Sequence, residues 1–215
     1  MKTFHLPRTR IWNAEYLHAR PLDDSLRRAI QLAVQDCGAG TAVLDLGCGQ
    51  KPYARLFRDC RYISLDHSPE SNPDIVADAS SVPLPDGAID IILCSQVIEH
   101  VPNPAALIRE CRRLLKASGR LILSGPFYWP LHEKPHDYYR FTKHGLIHLL
   151  TGAGFSIQSL EPTRGDWAQA LLSVNLQLKG KWWIPARLCI NILGIILDRI
   201  VHSERSPSNY VVVAR

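Results

Sequence analysis

Val43-Leu44-Asp45-Leu46-Gly47-Cys48-Gly49 joins a short apolar run to two closely spaced glycines. An apolar run that stops at a glycine has the form of a buried parallel strand entering a loop. Two glycines at a strand-to-helix turn let the backbone approach a ligand closely, and an acid at the end of the next strand can accept hydrogen bonds from ribose hydroxyls. Asp66, twenty-one residues after Asp45, stands in that place. This is a nucleoside-binding layout. The dinucleotide pattern G-x-G-x-x-G is not met, because the third position after Gly49 is Pro52, which has no N–H to offer a pyrophosphate. An NAD-linked oxidoreductase shares this opening, and Pro52 counts against it.

Outward from this run the same pattern repeats. Residues 61–66, 74–78, 88–95 and 120–124 read as further strands, and helical stretches lie between them. The clearest is residues 104–116, where Leu107, Ile108, Cys111, Leu114 and Leu115 recur at helical spacing. The alternation predicts a doubly wound α/β fold with a mostly parallel sheet whose ligands bind at the carboxyl ends of the strands. After Ser124 comes a loop rich in proline, histidine and aromatic residues. A short helix follows, which Thr142 can cap and Gly152 or Gly154 can end. Residues 156–160 and 210–213 read as the last two strands. Residues 22–37 read as an amphipathic helix with Leu22, Leu26, Ile30 and Ala33 on one face. The expected organisation is an N-terminal helical cap over residues 1–40, a core over 41–160, and a helical insertion with the final strand over 161–215, all in one domain.

The chain has 215 residues, 46% hydrophobic and 21% charged, the composition of an ordinary globular protein. Six cysteines without a CxxC pair disfavour a zinc ribbon or a thioredoxin-like site and fit a reducing, cytoplasmic compartment. The segment from Met1 to Arg8 has no apolar run suited to a signal peptide, and the longest apolar stretch, residues 188–197, falls short of the roughly twenty residues that span a bilayer. The net charge is +5. Residues 41–160 carry twelve basic and twelve acidic side chains, so the whole excess belongs to the flanking segments. That placement argues against nucleic acid as the partner and favours an anionic surface or acceptor meeting the cap and the insertion.

Residues 41–155 resemble a class I S-adenosylmethionine-dependent methyltransferase of the type 11 group. The resemblance rests on Val43 to Gly49, on Ser64-Leu65-Asp66, on Ile75-Val76-Ala77-Asp78-Ala79 with Leu84-Pro85-Asp86-Gly87-Ala88-Ile89-Asp90, and on Ser95-Gln96-Val97-Ile98-Glu99-His100-Val101. It implies a seven-stranded Rossmann-like sheet with the last strand antiparallel, and S-adenosylmethionine as cofactor. It also implies that Gly47, Cys48 and Gly49 lie against the methionine part and that Asp66 holds the ribose, with Asp45 and His67 as further cofactor-binding residues. Asp78 and Ala79 would take the adenine, and Gln96 would lie near the sulfonium. One departure is Lys51, where such families usually carry a further glycine. A catalytically inactive relative kept for assembly would not need the Gly47, Gly49, Asp66 and Asp78 set. A nucleic-acid methyltransferase would need a basic stripe beside the pocket.

A sulfonium methyl is already a strong electrophile, so the protein's tasks are to align a nucleophile and exclude water. For a hydroxyl acceptor, a nearby base helps. The candidates are His100, His132, His136, Asp137 and Tyr139, which fall after the fourth and fifth strands. Glu99-His100 can equally brace the loop that follows. The density of titratable and aromatic groups from Pro130 to Arg140 suits a substrate-facing lid over a small-molecule or lipid-linked acceptor. His132, His136 and Asp137, or His144 and His148, meet metal-ligand spacing. Nine histidines make such spacings easy to reach by chance, and Gln96 stands where quinone O-methyltransferases, some of which bind a divalent ion there, tend to have an acid. No metal is expected.

In the last third, Arg187, Asn191, Gly194, Asp198 and His202 form one narrow stripe on an otherwise apolar helical segment, residues 184–201. Such a helix must be covered by something. It can roof the acceptor site, form a homodimer interface, or lie on the inner membrane surface. Lys179, Lys181 and Arg187 flanking Trp182 and Trp183 suit a headgroup boundary, so peripheral membrane contact through Lys179 to Val201 is one expectation.

Overall fold

The computed structural model describes residues 9–35, 37–201 and 203–215. Met1 to Arg8 and His202, which entered the readings above, lie outside them. Seven strands, β1 (Ala42–Leu46), β2 (Arg61–Asp66), β3 (Ile75–Val76), β4 (Ile89–Ser95), β5 (Leu115–Pro126), β6 (Ile157–Pro162) and β7 (Asn209–Ala214), form one sheet in the order β3-β2-β1-β4-β5-β7-β6. β1 to β5 pair in parallel, and β7 runs antiparallel to both β5 and β6.

Strand periodicity sorts the core into two layers. On one face Val43, Ile91, Leu93, Ile122 and Val211 pack under α1 (Tyr16–Ala33), whose Leu22, Leu26, Ile30 and Ala33 are all buried. On the other, Leu44, Leu46, Ile92, Cys94, Leu121, Leu123 and Val212 pack under α2 (Pro104–Leu114) and α3 (Lys143–Gly152). Asn103 caps α2 by accepting from the Ala106 N–H at 3.1 Å, and Thr142 caps α3 by accepting from the Gly145 N–H at 3.0 Å.

The boundaries of α1 and β5 differ most from the sequence reading. α1 begins at Tyr16 and ends at Ala33, because Leu17 and Ala19 bury as fully as the residues after Pro21. β5 begins at Leu115, directly after α2, because Leu115 pairs with Ile89 before the register shifts to Ile91 and Arg120. No turn separates the two elements.

Between β6 and β7 lies a helical hairpin, α4 (Asp166–Gln177) and α5 (Ile184–Ile200). Leu17 of α1 packs with Ala168 and Leu172 of α4, and with Trp129 from the loop after β5. α5 rests on α4 and on the start of α1. Among the described residues no helix is long and apolar enough to cross a membrane.

Candidate active site

The turn after β1 is built on left-handed backbone. Gly47 has φ +74° and Gly49 φ +48°, values at which glycine has no Cβ to clash. A Cβ on Gly47 would sit 2.3 Å from Val97 Cγ2, whereas one on Gly49 would meet open space. The N–H groups of Gly47 and Cys48 donate to the Leu65 carbonyl at 2.8 and 2.9 Å, tying the turn to the end of β2. Lys51 also has a positive φ, +53°, which is the physical reason a glycine suits that place; its Nζ donates to the Asn72 carbonyl at 2.6 Å.

At the end of β2 the Asp66 carboxylate accepts from the Gly49 N–H and the Ser68 N–H, each at 2.9 Å, with His67 Nδ1 3.2 Å from it. Each of its oxygens has a lone pair to spare for a further donor. Asp45 lies deeper. Burial pushes its carboxyl up to about 6 against the hydrogen bond that it accepts from the Tyr62 hydroxyl. Burial likewise lifts the Cys48 thiol to about 11, so it is not a thiolate. Asp78 accepts from the Ser80 N–H at 2.7 Å. Gln96, the residue after β4, has φ +55°, and both its backbone and side-chain N–H groups donate to Ser124 Oγ, at 3.2 and 3.1 Å. A non-glycine residue in this region stores strain of the kind found at ligand sites.

The loops after β4 and β5 place the second group. The His100 Nδ1 is 2.7 Å from the His136 carbonyl, leaving its Nε2 3.8 Å from Glu99 Oε1 and 3.7 Å from Glu133 Oε2. His132 packs edge-on against His100, with its Nε2 4.0 Å from Glu99. Ligand atoms of Glu99, His100 and His132 lie within 4.8 Å of one another. Glu99 is fully buried, neither carboxylate oxygen has a hydrogen-bond partner, and burial pushes it up to about 8. Asp137 is different. Burial works to raise it, but two hydrogen bonds from Arg140 and one from the His132 N–H outweigh this and hold it down to about 2. Tyr139 donates its hydroxyl to the Pro102 carbonyl at 2.8 Å, and His136 Nδ1 sits 3.1 Å from the Tyr138 hydroxyl. His144 and His148 are exposed on α3, apart from this cluster.

A cavity of about 260 Å³ joins the two groups. Gly47, His67, Asp78 and Ala79 line one side, and His100, Glu133 and His136 the other. Sequence reasoning had not singled out Glu99 as more than a brace, nor His18 and Trp129, whose rings stack at 3.7 Å behind the loop. Burial pushes His18 down to about 3, with help from His132 nearby. An acid beside a histidine in an apolar turn was a usable signal for Glu99; nothing in the first turns of α1 marked His18.

These residues fit a nucleoside cofactor: a glycine turn with open space at Gly49, an acid at the end of β2 with lone pairs available, and an acid with a backbone N–H at Asp78 and Ala79. Known proteins agree. A family model described as a methyltransferase domain matches residues 44–123. A ubiquinone biosynthesis O-methyltransferase of Pseudomonas paraeruginosa is 33% identical over 185 residues, which cover 84% of this chain and 70% of that protein. Another from Xanthomonas oryzae pv. oryzae is 34% identical over 109 residues, so the chain matches 43% of that relative's length. Among solved structures, an S-adenosylmethionine-dependent methyltransferase from Mesorhizobium loti superposes with a TM-score of 0.60 at 20% identity, covering 90% of this chain and 99% of that one. A geranyl diphosphate C-methyltransferase from Streptomyces coelicolor A3(2) gives 0.63 at 14%, covering 93% and 81%; at such identities the likeness is of fold. With the sheet order, the glycine turn and the β2 acid in place, the chain belongs to the class I S-adenosylmethionine-dependent methyltransferases.

Proposed function

We propose that this protein moves a methyl group from S-adenosylmethionine to a hydroxyl oxygen of a small or lipid-linked acceptor, with His100 as general base. The observation that carries the reading is the single cavity that brings His100 and His136 opposite Gly47, Asp78 and Ala79. The O-methyltransferase named among its relatives supports oxygen as the acceptor atom.

When bound, S-adenosylmethionine supplies an electrophilic methyl on its sulfonium. The chain's residues supply the rest. Gly47, Cys48 and Gly49 bring backbone against the cofactor, Asp66 with His67 takes the ribose, Asp78 and Ala79 take the adenine, and Gln96, just after β4, lies near the sulfonium. Asp45 supports the turn from below, through Tyr62. The His136 carbonyl fixes the His100 Nδ1 as the protonated nitrogen, so its Nε2 carries the lone pair that accepts the acceptor's hydroxyl proton. Glu133, 3.7 Å away, stabilises the resulting imidazolium. Glu99, a neutral acid below about pH 8, keeps a second buried charge out of the site. Asp137 and Tyr139 act as positioning residues, because the Asp137 carboxylate is held by Arg140 and the Tyr139 hydroxyl by Pro102. Burial lowers His132, which keeps a neutral imidazole beside His100.

The test uses S-adenosylmethionine carrying a labelled methyl, with catechols and phenols as acceptors. The label should appear as an O-methyl group; a product labelled on carbon or nitrogen overturns the reading. His100→Gln should lower kcat by about 10²- to 10⁴-fold. Calorimetric affinity for S-adenosylmethionine should stay unchanged, and an unaltered kcat removes His100 from the base role.

A further inference from the structure

The polar stripe of α5 faces the protein. Arg187 donates to the carbonyls of Leu178 and Gly180. Asn191, fully buried, accepts from Asn175 Nδ2 at 2.7 Å and donates to the carbonyls of Ile11 and Asn13 at 2.6 and 3.0 Å. Gly194 has no room for a Cβ, which would lie 2.8 Å from Leu17 Cδ1. Asp198 accepts from the Gly165 and Ala168 N–H groups and so caps α4. The apolar side chains are left outside. Leu193, Ile196 and Ile200, at steps of three and four, are 45%, 47% and 73% exposed, Ile192 beside them is 42% exposed, and Trp182 ahead of the helix is 96% exposed.

A helix on a water-facing surface normally buries its apolar stripe, and a monomer rarely leaves a contiguous apolar face of this kind uncovered. The charges say what covers it. From Lys179 to Val201 the lone acid is Asp198, which is engaged in capping α4, and the exposed charges are Lys179, Lys181 and Arg199. Indole rings beside lysines match a headgroup boundary, where rings sit in the interface and long basic stems reach the phosphates. A two-fold homodimer through this face would set the same patch against itself, with basic side chains and no exposed carboxylate to pair with them.

We propose that the outward face of α5, with Trp182 and Trp183, docks on an anionic lipid surface. The inference stands apart from the identity of the acceptor. It is tested with the whole chain and phosphatidylcholine vesicles made with and without phosphatidylglycerol. The protein should sediment with the phosphatidylglycerol vesicles, its tryptophan emission should shift to the blue, and raised salt should weaken the binding. Trp182→Ser with Ile196→Gln should lower partition roughly tenfold or more with no change in Tm. Lys179→Gln with Lys181→Gln should lower it by a similar factor on phosphatidylglycerol. Absence of binding, or equal binding to both vesicle types, overturns the proposal. A concentration-dependent dimer that Trp182→Ser with Ile196→Gln dissociates also overturns it and assigns the face to a second copy.

Discussion

At the carboxyl ends of β1 to β4 the polar side chains line a cavity and the apolar ones are buried in two layers, whereas the α4–α5 hairpin buries its polar side chains and turns its apolar ones outward. Asp66 and Asn191 show how each region satisfies a buried polar group. Asp66 does so with backbone N–H groups of its own turn, and Asn191 with carbonyls some 180 residues away in sequence. The difference lies in what each region leaves free for a partner. The strand ends keep lone pairs and a glycine-lined opening, the tools of a small polar ligand, while the hairpin offers hydrocarbon and indole rimmed by lysine.

The sharpest way to break this contrast at the strand ends is Asp66→Ala. It removes a carboxylate that two N–H groups already orient, and S-adenosylmethionine affinity should fall about 100-fold, or about 3 kcal/mol. Asp66→Asn should fall less, since it keeps one acceptor oxygen. Unchanged binding of Asp66→Ala in calorimetry would remove the ribose role. In the hairpin the matching change is Asn191→Leu, which improves the helix by any count of hydrophobicity and should nonetheless destabilise the protein by about 2–3 kcal/mol. It strands the Ile11 and Asn13 carbonyls and Asn175. Urea unfolding measures it; a variant as stable as the parent would mean that the stripe does not face inward.

The two regions were unequally legible in the sequence, for a physical reason. Gly47, Gly49, Asp66 and Asp78 are set by local backbone demands and strand ends, which spacing reports directly, and β2 falls on the residues read for it. The stripe on α5 was equally visible. Periodicity, however, states that a helix has two unlike faces and not which of them meets the protein. That depends on Asn175, Ile11, Leu17 and the α4 N-terminus, none of them near in sequence. The same holds for Glu99, His100 and His132, whose convergence comes from two loops folding over one cavity. His18 reaches that neighbourhood from a third segment altogether.

α1 belongs to both regions, since Leu22 to Ala33 cover the sheet while Leu17 meets Gly194 of α5. His18 sits between them, stacked on Trp129 with its Nδ1 3.2 Å from the Asn209 amide nitrogen. Its folded pKa lies near 3 against 6.5 when unfolded, so below pH 6.5 the unfolded chain binds a proton that the folded one refuses. The stability present above pH 6.5 is therefore lost as pH falls through that window, by up to about 2 kcal/mol near pH 5. Glu99 works in the opposite sense, costing stability as pH rises from 4.5 towards 8. Melting curves of the parent and His18→Gln should not run parallel between about pH 7 and 5: the variant keeps the Glu99 dependence and lacks the His18 loss, so it should gain stability relative to the parent as pH falls. Parallel slopes would mean that His18 charges freely in the folded state.

The smallest effect is the most discriminating between the two faces of α5. Ile196 is 47% exposed on the outward side, one residue pair along from buried Gly194. If that side faces water in the free protein, Ile196→Gln removes little buried area, and the change in unfolding free energy should stay within about 0.5 kcal/mol of zero. An inward isoleucine truncated to a polar side chain would cost several times more, because transfer and cavity terms add. The pair Asn191→Leu and Ile196→Gln thus inverts the usual rule, with the apolar gain destabilising and the apolar loss nearly silent. A cost of about 2 kcal/mol or more for Ile196→Gln, measured at low protein concentration and without lipid, would place this side chain in a covered contact and return α5 to an ordinary amphipathic helix.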